Sequence, residues 1–360
     1  MTGAHPDDGN TLTNDNSTGG MKVGFYGGKF LPLHIGHLYS LIKAATYVDK
    51  LYFILSTSEK RDRYYCKRDG FDYITPEQRL QWMGRAIANM ENISIIHLVD
   101  NGDVVNDIDM YDWEFGCDQV IKAIPEKITH VFSSEPSYEP YFSKYYIGAN
   151  IILLDKHRSI VSISSTQIRR NLFAHWEFIP SYVRSSFIKT IVFIGTESCG
   201  KSTLVRNLAK IYNTNYVAEV GRDYCEKSSN QLILSDFYSI AMEHWLSVQK
   251  AKESSNKILF VDTEAVVTQY YLSIYLSEKS ALIDQLIDME KYDIYIFLEP
   301  DVKWKDDGLR FLGDQTIRIV NNQKLKTMFD DYGITYEVIS GDYPSRLEQV
   351  ISVLRHYKLS

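Results

Sequence analysis

Ile191-Val-Phe-Ile-Gly195-Thr-Glu-Ser-Cys-Gly200-Lys201-Ser202-Thr203 sits near the middle of the chain, and its reading decides how the rest is divided. Four apolar residues run into a glycine loop, and Leu204, Leu208 and Ile211 then recur at helical spacing. The pattern is strand, loop, helix, with the loop spelling G-x-x-x-x-G-K-[ST]. Gly195 and Gly200 let successive backbone N–H groups turn inward on a phosphate, with Glu197 and Ser198 inside the curl. Lys201 adds a charge for the β- and γ-phosphates. The Ser202 hydroxyl is a hard oxygen ligand suited to Mg²⁺, and Thr203 follows it at the helix start. An incidental strand-to-helix turn would not place Lys-Ser-Thr where the helix N-terminus needs them. A strand of this kind opens a domain, so the upstream half requires its own account.

At 360 residues the chain has room for two or three domains, each with a core. Hydrophobic content of 44% and charged content of 24% describe an ordinary globular protein. A net charge of −7 argues against a broad nucleic-acid footprint, so no DNA binding is expected. No apolar run is long enough for membrane insertion and no signal peptide opens the chain. Cys66, Cys117, Cys199 and Cys225 are scattered without zinc spacing, which suits free thiols in a reducing, cytoplasmic setting. Oligomeric state is open, a homo-oligomer included.

In chain order, residues 1–20 are polar and glycine-bearing and read as a disordered tail. Strands are expected at Lys22–Tyr26, Leu51–Leu55, Ile93–Val99, Thr129–Phe132 and Ile151–Leu154, with helices between them. Leu38, Leu41, Ile42 and Ala45 give the first helix its apolar stripe. Residues 59–74, charged and aromatic, read as a loop. Thr75-Pro76-Glu77-Gln78 starts a helix with a capping hydroxyl, a proline in the first turn and a capping-box glutamine. The alternation restarts at Ile191, with further strands at Asn215–Val220, Lys257–Val261, Tyr292–Leu298 and Thr335–Ile339. The expected fold is α/β: two doubly wound parallel-sheet domains in series, residues 21–185 and 186–360.

The first domain carries Gly28-Lys29-Phe30-Leu31-Pro32-Leu33-His34-Ile35-Gly36-His37, matching the G-x-F-x-P-x-H-x-G-H signature of the nucleotidylyltransferases. Ile163-Ser164-Ser165-Thr166-Gln167-Ile168-Arg169 matches that superfamily's later I-S-S-T-x-I-R signature. Adenylyl transfer moves the α-phosphate of ATP onto an acceptor oxygen and expels pyrophosphate. It needs in-line positioning and charge stabilisation rather than a covalent intermediate. His34 and His37 can donate hydrogen bonds to the α-phosphate. Gly36 permits close backbone approach, and Gly27, Gly28, Lys29 and Phe30 do so for the nucleotide. Ser164, Ser165 and Thr166 should cap a helix that receives the β- and γ-phosphates, with Arg169 adding charge. Between the motifs, Trp113 is either a stacking surface for a nitrogenous ring or core. Ser133 and Ser134 stand past a strand end, where ligands or an ordinary turn would lie.

In the second domain Glu219 or Asp223 could serve as base for an acceptor hydroxyl, and Arg222 could brace phosphate or substrate. Ile258-Leu-Phe-Val-Asp262-Thr263 is an apolar strand ending in acid. Asp262 suits Mg²⁺ alongside Ser202, and Thr263 lies next to the substrate. The polar stretch from Pro300 through Trp304 to Arg310 reads as a lid, with Arg310 closing on the transferred phosphate.

A nucleotidylyltransferase followed by a phosphate-loop kinase resembles the bifunctional nicotinamide-nucleotide adenylyltransferase/ribosylnicotinamide kinases of the NadR type. The resemblance extends over residues 21–360, including Gly-Arg-Asp-Tyr at 221–224 and Trp304 to Arg310. It implies that the second domain phosphorylates nicotinamide riboside to the mononucleotide (NMN) with ATP, and that the first converts NMN and ATP to NAD. Some members carry an N-terminal helix-turn-helix DNA-binding domain, for which residues 1–20 are too short. The residues alone leave phosphopantetheine and flavin mononucleotide as alternative acceptors, and a slow nucleotide sensor as the rival class.

Overall fold

The computed structural model describes residues 20–100, 111–229, 231–302 and 315–359. Contacts divide the chain into two compact units, the first ending at Phe178 and the second beginning at Ile179.

In the first unit, β1 (Val23–Gly28), β2 (Lys50–Thr57), β3 (Ile93–Val99), β4 (His130–Ser133) and β5 (Asn150–Leu153) form one sheet. The order is β3-β2-β1-β4-β5 with every pairing parallel. Chain direction across the sheet reverses between β1 and β4, and that switch point is where ligands enter such sheets. One face packs Phe25, Tyr52, Trp113, Cys117, Val120 and Val131 into a core.

Two local expectations change. Residues 59–74 are not all loop: Glu59–Arg68 is a helix. Its mean hydropathy is strongly polar, so apolar periodicity could not reveal it. Ser58 caps it by accepting from Arg61 N, acids fill the first turn and bases the last. The buried Arg61 and Asp62 take the place of an apolar stripe. In the first helix, Ile35–Ala45, the inward residues are Ser40, Leu41 and Ala44, and Ile42 faces solvent.

In the second unit, β6 (Lys189–Ile194), β7 (Tyr216–Val217), β8 (Ile258–Asp262), β9 (Ile294–Leu298) and β10 (Glu337–Ile339) pair in parallel in the order β10-β9-β6-β8-β7. Ile191, Phe193, Leu204, Leu208, Phe260 and Ile296 anchor its core. Ile211, expected on the buried stripe, is exposed, and Val205 and Ala209 stand inward instead. β7 covers only two residues of the strand expected over Asn215–Val220, because Val220–Ser228 turns into a helix.

Candidate active sites

In the first unit the carboxyl ends of β1 to β4 and the loops beyond them enclose a cavity of about 590 Å³. Both motifs reach it from chain positions more than a hundred residues apart. Gly27, Gly28, Lys29, Phe30, His34 and His37 line one side; Ser164, Ser165, Thr166 and Arg169 line another. Trp113, Ser133 and Ser134 border the same space.

His34 and His37 stand at the start of the first helix, where the His34 backbone N–H donates to His37 Nδ1 at 3.3 Å. That contact makes Nδ1 the acceptor and places the His37 proton on Nε2. Burial pushes the His34 pKa down to about 3, helped by the Arg158 charge. Burial, His34 and Arg158 push that of His37 well down too. Both rings are neutral donors at neutral pH. Gly36 has a more specific reason than backbone approach to a nucleotide. A Cβ there would lie 3.0 Å from His34 Nδ1, so the ring occupies the space a side chain would take.

Ser164 caps the short helix Ser165–Arg170, accepting from Gln167 N. The guanidinium of Arg169 is buried and already engaged. It donates to Asp69 Oδ2 at 2.9 Å, to Leu31 O at 2.5 Å and to Thr166 Oγ1 at 3.0 Å. Its geometry therefore joins the two motifs, since Leu31 belongs to the first and Thr166 to the second. Asp69, which the sequence reading passed over, also pairs with Arg68 and Arg170. Burial acts to raise the Asp69 pKa, but hydrogen bonds from Arg68 and Arg169 prevail and hold it at about 2.

Three arginines, Arg61, Arg79 and Arg158, were also missed. Arg61, buried, bridges Asp62 at 3.0 Å and Asp100 at 2.7 Å, while Asp62 also meets the buried Arg79 at 2.8 Å. Arg79 in turn donates to Lys29 O at 3.0 Å, tying this network to the first motif. Desolvation, reinforced by Arg61, lowers the Lys29 pKa to about 8. Arg158 lines the cavity and pairs with Glu135 at 2.5 Å. Its only sequence signal is the basic run Lys156-His157-Arg158 ahead of the second motif. Trp113 belongs to the core, where it stacks on Tyr141 with centroids 4.4 Å apart, and it also borders the cavity. Ser133 Oγ accepts from Glu135 N at 3.0 Å, and Ser134 Oγ lies 2.9 Å from Ser40 Oγ.

In the second unit the phosphate loop follows β6, and Asp262 ends the adjacent β8, in register with Phe193. Gly195 has φ +139°, and a Cβ there would lie 2.7 Å from Leu298 O; only glycine fits. Gly200 has φ +89° and caps the helix Lys201–Ile211. Lys201 Nζ donates to Gly195 O at 2.9 Å and Thr196 O at 3.1 Å. Burial works to discharge this ammonium, but Cys199, Glu219, Asp262 and Glu197 outweigh it and raise its pKa. Ser198 stands in the loop with φ +59°, and Ser202 and Thr203 begin the helix.

Asp262 is 1% exposed, and its Oδ2 is buried without a hydrogen-bond partner. Burial, then the Glu219 charge, push its pKa up to about 6, against the pull of Lys201 and Ser202. An orphaned carboxylate oxygen beside Ser202 fits a hard divalent cation that takes its remaining ligands from phosphate and water. Among the described residues no cluster of three or more metal-binding side chains occurs. Thr263, at φ +76°, is a β-branched residue in the left-handed region, and its N–H donates to Phe193 O at 3.0 Å.

Beside this loop is a smaller cavity of about 100 Å³ lined by Glu197, Glu219, Arg222, His244, Thr263 and Tyr271, among others. It separates the two candidate bases. Glu219 borders it, whereas Asp223 lies on the helix Val220–Ser228, exposed and outside the lining. With the strand ending at Val217, helix geometry turns residue 223 outward. Arg310 lies outside the described residues, as does the expected segment from Trp304 onward. Arg346 was not anticipated. Fully buried, it donates to Cys199 O and to Glu299 O, bracing the phosphate loop against the end of β9. No helix among the described residues is long and apolar enough to cross a membrane.

A family model described as cytidylyltransferase-like matches residues 25–171, and one described as an AAA domain matches residues 190–346. The chain is 32% identical over 344 residues to the trifunctional NAD biosynthesis/regulator protein NadR of Escherichia coli (strain K12), covering 92% of this chain and 82% of that protein. It is 31% identical over 345 residues to the protein of the same name from Salmonella typhimurium, covering 93% of this chain and 83% of that one. Two solved structures share its fold. A NadR protein in complex with NR aligns with a TM-score of 0.77 at 23% identity, covering 94% of this chain and 96% of that one. A NadR protein in complex with NAD and AMP-PNP aligns at 0.74 and 24%, with the same coverage.

Proposed function

The chain belongs to the family of trifunctional NAD biosynthesis/regulator proteins NadR, and on that premise we propose the division of labour between its two units. The second unit phosphorylates nicotinamide riboside to NMN with ATP. The first joins NMN to the adenylyl group of ATP, giving NAD and pyrophosphate. One observation carries the reading: a single chain sets the paired nucleotidylyltransferase motifs and the phosphate loop each at the carboxyl edge of its own parallel sheet.

In the first unit an oxygen of the NMN phosphate attacks the α-phosphorus and pyrophosphate leaves. The attacking phosphate is already ionised, so no base is required. Neutral His34 and His37 donate to the α-phosphate oxygens as charge builds there, and the Ser164–Thr166 turn receives the leaving phosphates. Arg169 acts through position, since Asp69 and Leu31 O hold it. Trp113 presents its cavity-facing part to the flat ring of the acceptor.

In the second unit the riboside hydroxyl attacks the γ-phosphorus, its proton passes to Glu219, and the bond to the bridging oxygen breaks so that ADP leaves. Arg222 and Thr263 border the acceptor, and Lys201 exchanges loop carbonyls for β- and γ-phosphate oxygens. Ser202 and Asp262 are the groups that would hold Mg²⁺, which when bound would offset the charge of the donor's phosphates. Arg310 is assigned to the transferred phosphate by family pattern. A cytoplasmic setting suits the four free thiols. The acidic balance favours small-molecule over DNA partners.

Incubation with ATP, Mg²⁺ and nicotinamide riboside, followed by chromatography, tests the whole scheme. NMN must accumulate first and NAD follow. Saturable binding without product would make the chain a sensor instead. In parallel incubations, adenylylation of flavin mononucleotide or phosphopantetheine but not of NMN would reassign the acceptor.

A further inference from the structure

Tyr343 follows Gly341-Asp342 beyond β10 and opens the helix Tyr343–His356. It is 53% exposed, an aromatic ring that the core does not use. Its edge nevertheless lies against the phosphate loop. A Cβ built on Gly200 would stand 3.0 Å from Tyr343 Cε1 and 3.7 Å from its Cζ and hydroxyl. Gly200 therefore answers to the ring as well as to its own φ.

The segment carrying Tyr343 is clamped in place. Arg346 Nε donates to Gly341 O at 2.7 Å, and its other nitrogens reach Cys199 O, Glu299 O and the Asp301 carboxylate. The Asp342 carboxylate caps the helix, accepting from Ser345 N at 2.9 Å, and Asp301 Oδ2 accepts from Gly341 N at 2.6 Å. One buried guanidinium thus locks the Tyr343 turn to the phosphate loop itself. The ring is a half-open surface on a braced turn beside the phosphate loop.

We infer that Tyr343 is the platform on which the nucleobase of the phosphate donor stacks, and that it gives the kinase unit a preference for purines. The inference rests on the kinase reading above. A nucleoside triphosphate with its β- and γ-phosphates at Lys201 projects its α-phosphate, ribose and base out of the loop, past Gly200. Among the described residues, an aromatic surface adjoining Gly200 is Tyr343. Stacking asks for a flat face rather than a set hydrogen-bond pattern, and a bicyclic purine covers more of the ring than a pyrimidine. The platform sorts bases by ring size.

The test compares the native protein with Tyr343→Ala and Tyr343→Phe in riboside phosphorylation, using ATP, GTP and CTP as donors. Inorganic tripolyphosphate serves as a base-free competitor. Tyr343→Ala should raise KM for ATP and GTP about five- to 150-fold, the range for loss of one base–aromatic stack. KM for CTP should rise less, kcat should change little, and the inhibition constant of tripolyphosphate should hold. Tyr343→Phe, which keeps the ring, should recover the native purine preference. An unchanged KM for ATP in a Tyr343→Ala protein folded by circular dichroism would overturn the inference. So would an equal loss for tripolyphosphate, which would make the ring a brace for the loop. A native protein that fails to phosphorylate the riboside sinks the kinase reading separately. Tyr343 is then judged by calorimetry, on the ATP-binding component that Lys201→Ala removes: weakened by Tyr343→Ala it supports the platform, and unchanged it refutes it.

Discussion

The imidazoles of His34 and His37 are stacked, with ring centroids 3.6 Å apart and planes 21° apart. Two imidazolium ions could not share that spacing in a buried site, so the pair is built to be neutral. In the second unit Glu264 shows the opposite arrangement, a buried carboxyl whose pKa burial pushes up to about 8 against hydrogen bonds from Val266 and Val267 N–H.

These groups give the two units opposite responses to pH. The unfolded chain protonates His34 and His37 below about pH 6.5, while folded His34 resists until about 3, so the first unit loses stability as pH falls from 7 to 5. Glu264 contributes stability below its unfolded pKa, and that contribution is lost as pH rises through about 8. Asp262, pushed up to about 6, acts in the same sense, and the two outweigh the opposite pull of the buried His244, so the second unit loses stability as pH rises. Each group contributes at most about 1.4 kcal/mol per pH unit. Hydrogen exchange read by mass spectrometry reports on the units separately, and parallel trends in both would contradict this account.

Damage to the two sites should not mix. Lys201→Ala should abolish riboside phosphorylation while added NMN is still converted to NAD. His37→Ala should slow adenylyl transfer about a hundredfold or more and let NMN accumulate. A folded variant in which either change stopped both reactions would require one composite site.

Gly36→Ala tests the seat of His34. The added methyl meets the ring at 3.0 Å, so the imidazole must shift by a few tenths of an ångström. Adenylyl transfer should fall about tenfold, in line with the cost of misplacing a catalytic group. Riboside phosphorylation measured on the same sample should be unaffected, and full retention of both would show that His34 tolerates the shift.

Asp69→Ala strands Arg169 without its carboxylate. Breaking a buried pair from one side costs about 3–5 kcal/mol, and a urea melt of the first unit should lose an amount in that range. Because Arg169 also holds Leu31 O and Thr166, KM for ATP in adenylyl transfer should rise as well. An unshifted melt would mean that solvent replaces the pair at no cost.

The choice of base is decided by a pair of isosteres. Glu219→Gln should lower riboside phosphorylation between about a hundred- and ten-thousandfold, the range for a removed general base. Asp223→Asn, on the exposed helix face, should stay within about threefold of native. The reverse ranking would return the role to Asp223.

The sequence by itself determined the two α/β sheets, the phosphate loop and both halves of the adenylyltransferase signature. Each is a contiguous stretch whose spacing alone dictates strand, turn or helix start, and whose residue types match one kind of chemistry. Tertiary structure alone decided what binds those stretches together. Asp69 meets Arg169 across 100 positions and Arg346 reaches Cys199 across 147. The polar helix Glu59–Arg68 likewise depends on Asp62 finding Arg79 in the core rather than on any apolar stripe. Periodicity records which face of an element is buried, but a charged side chain carries no mark of its distant partner. Glu219 was separated from Asp223, and Tyr343 was set beside Gly200, only when the chain closed. Those relationships depend on where β7 ends and on how the last strand packs, and no local pattern of residues encodes either.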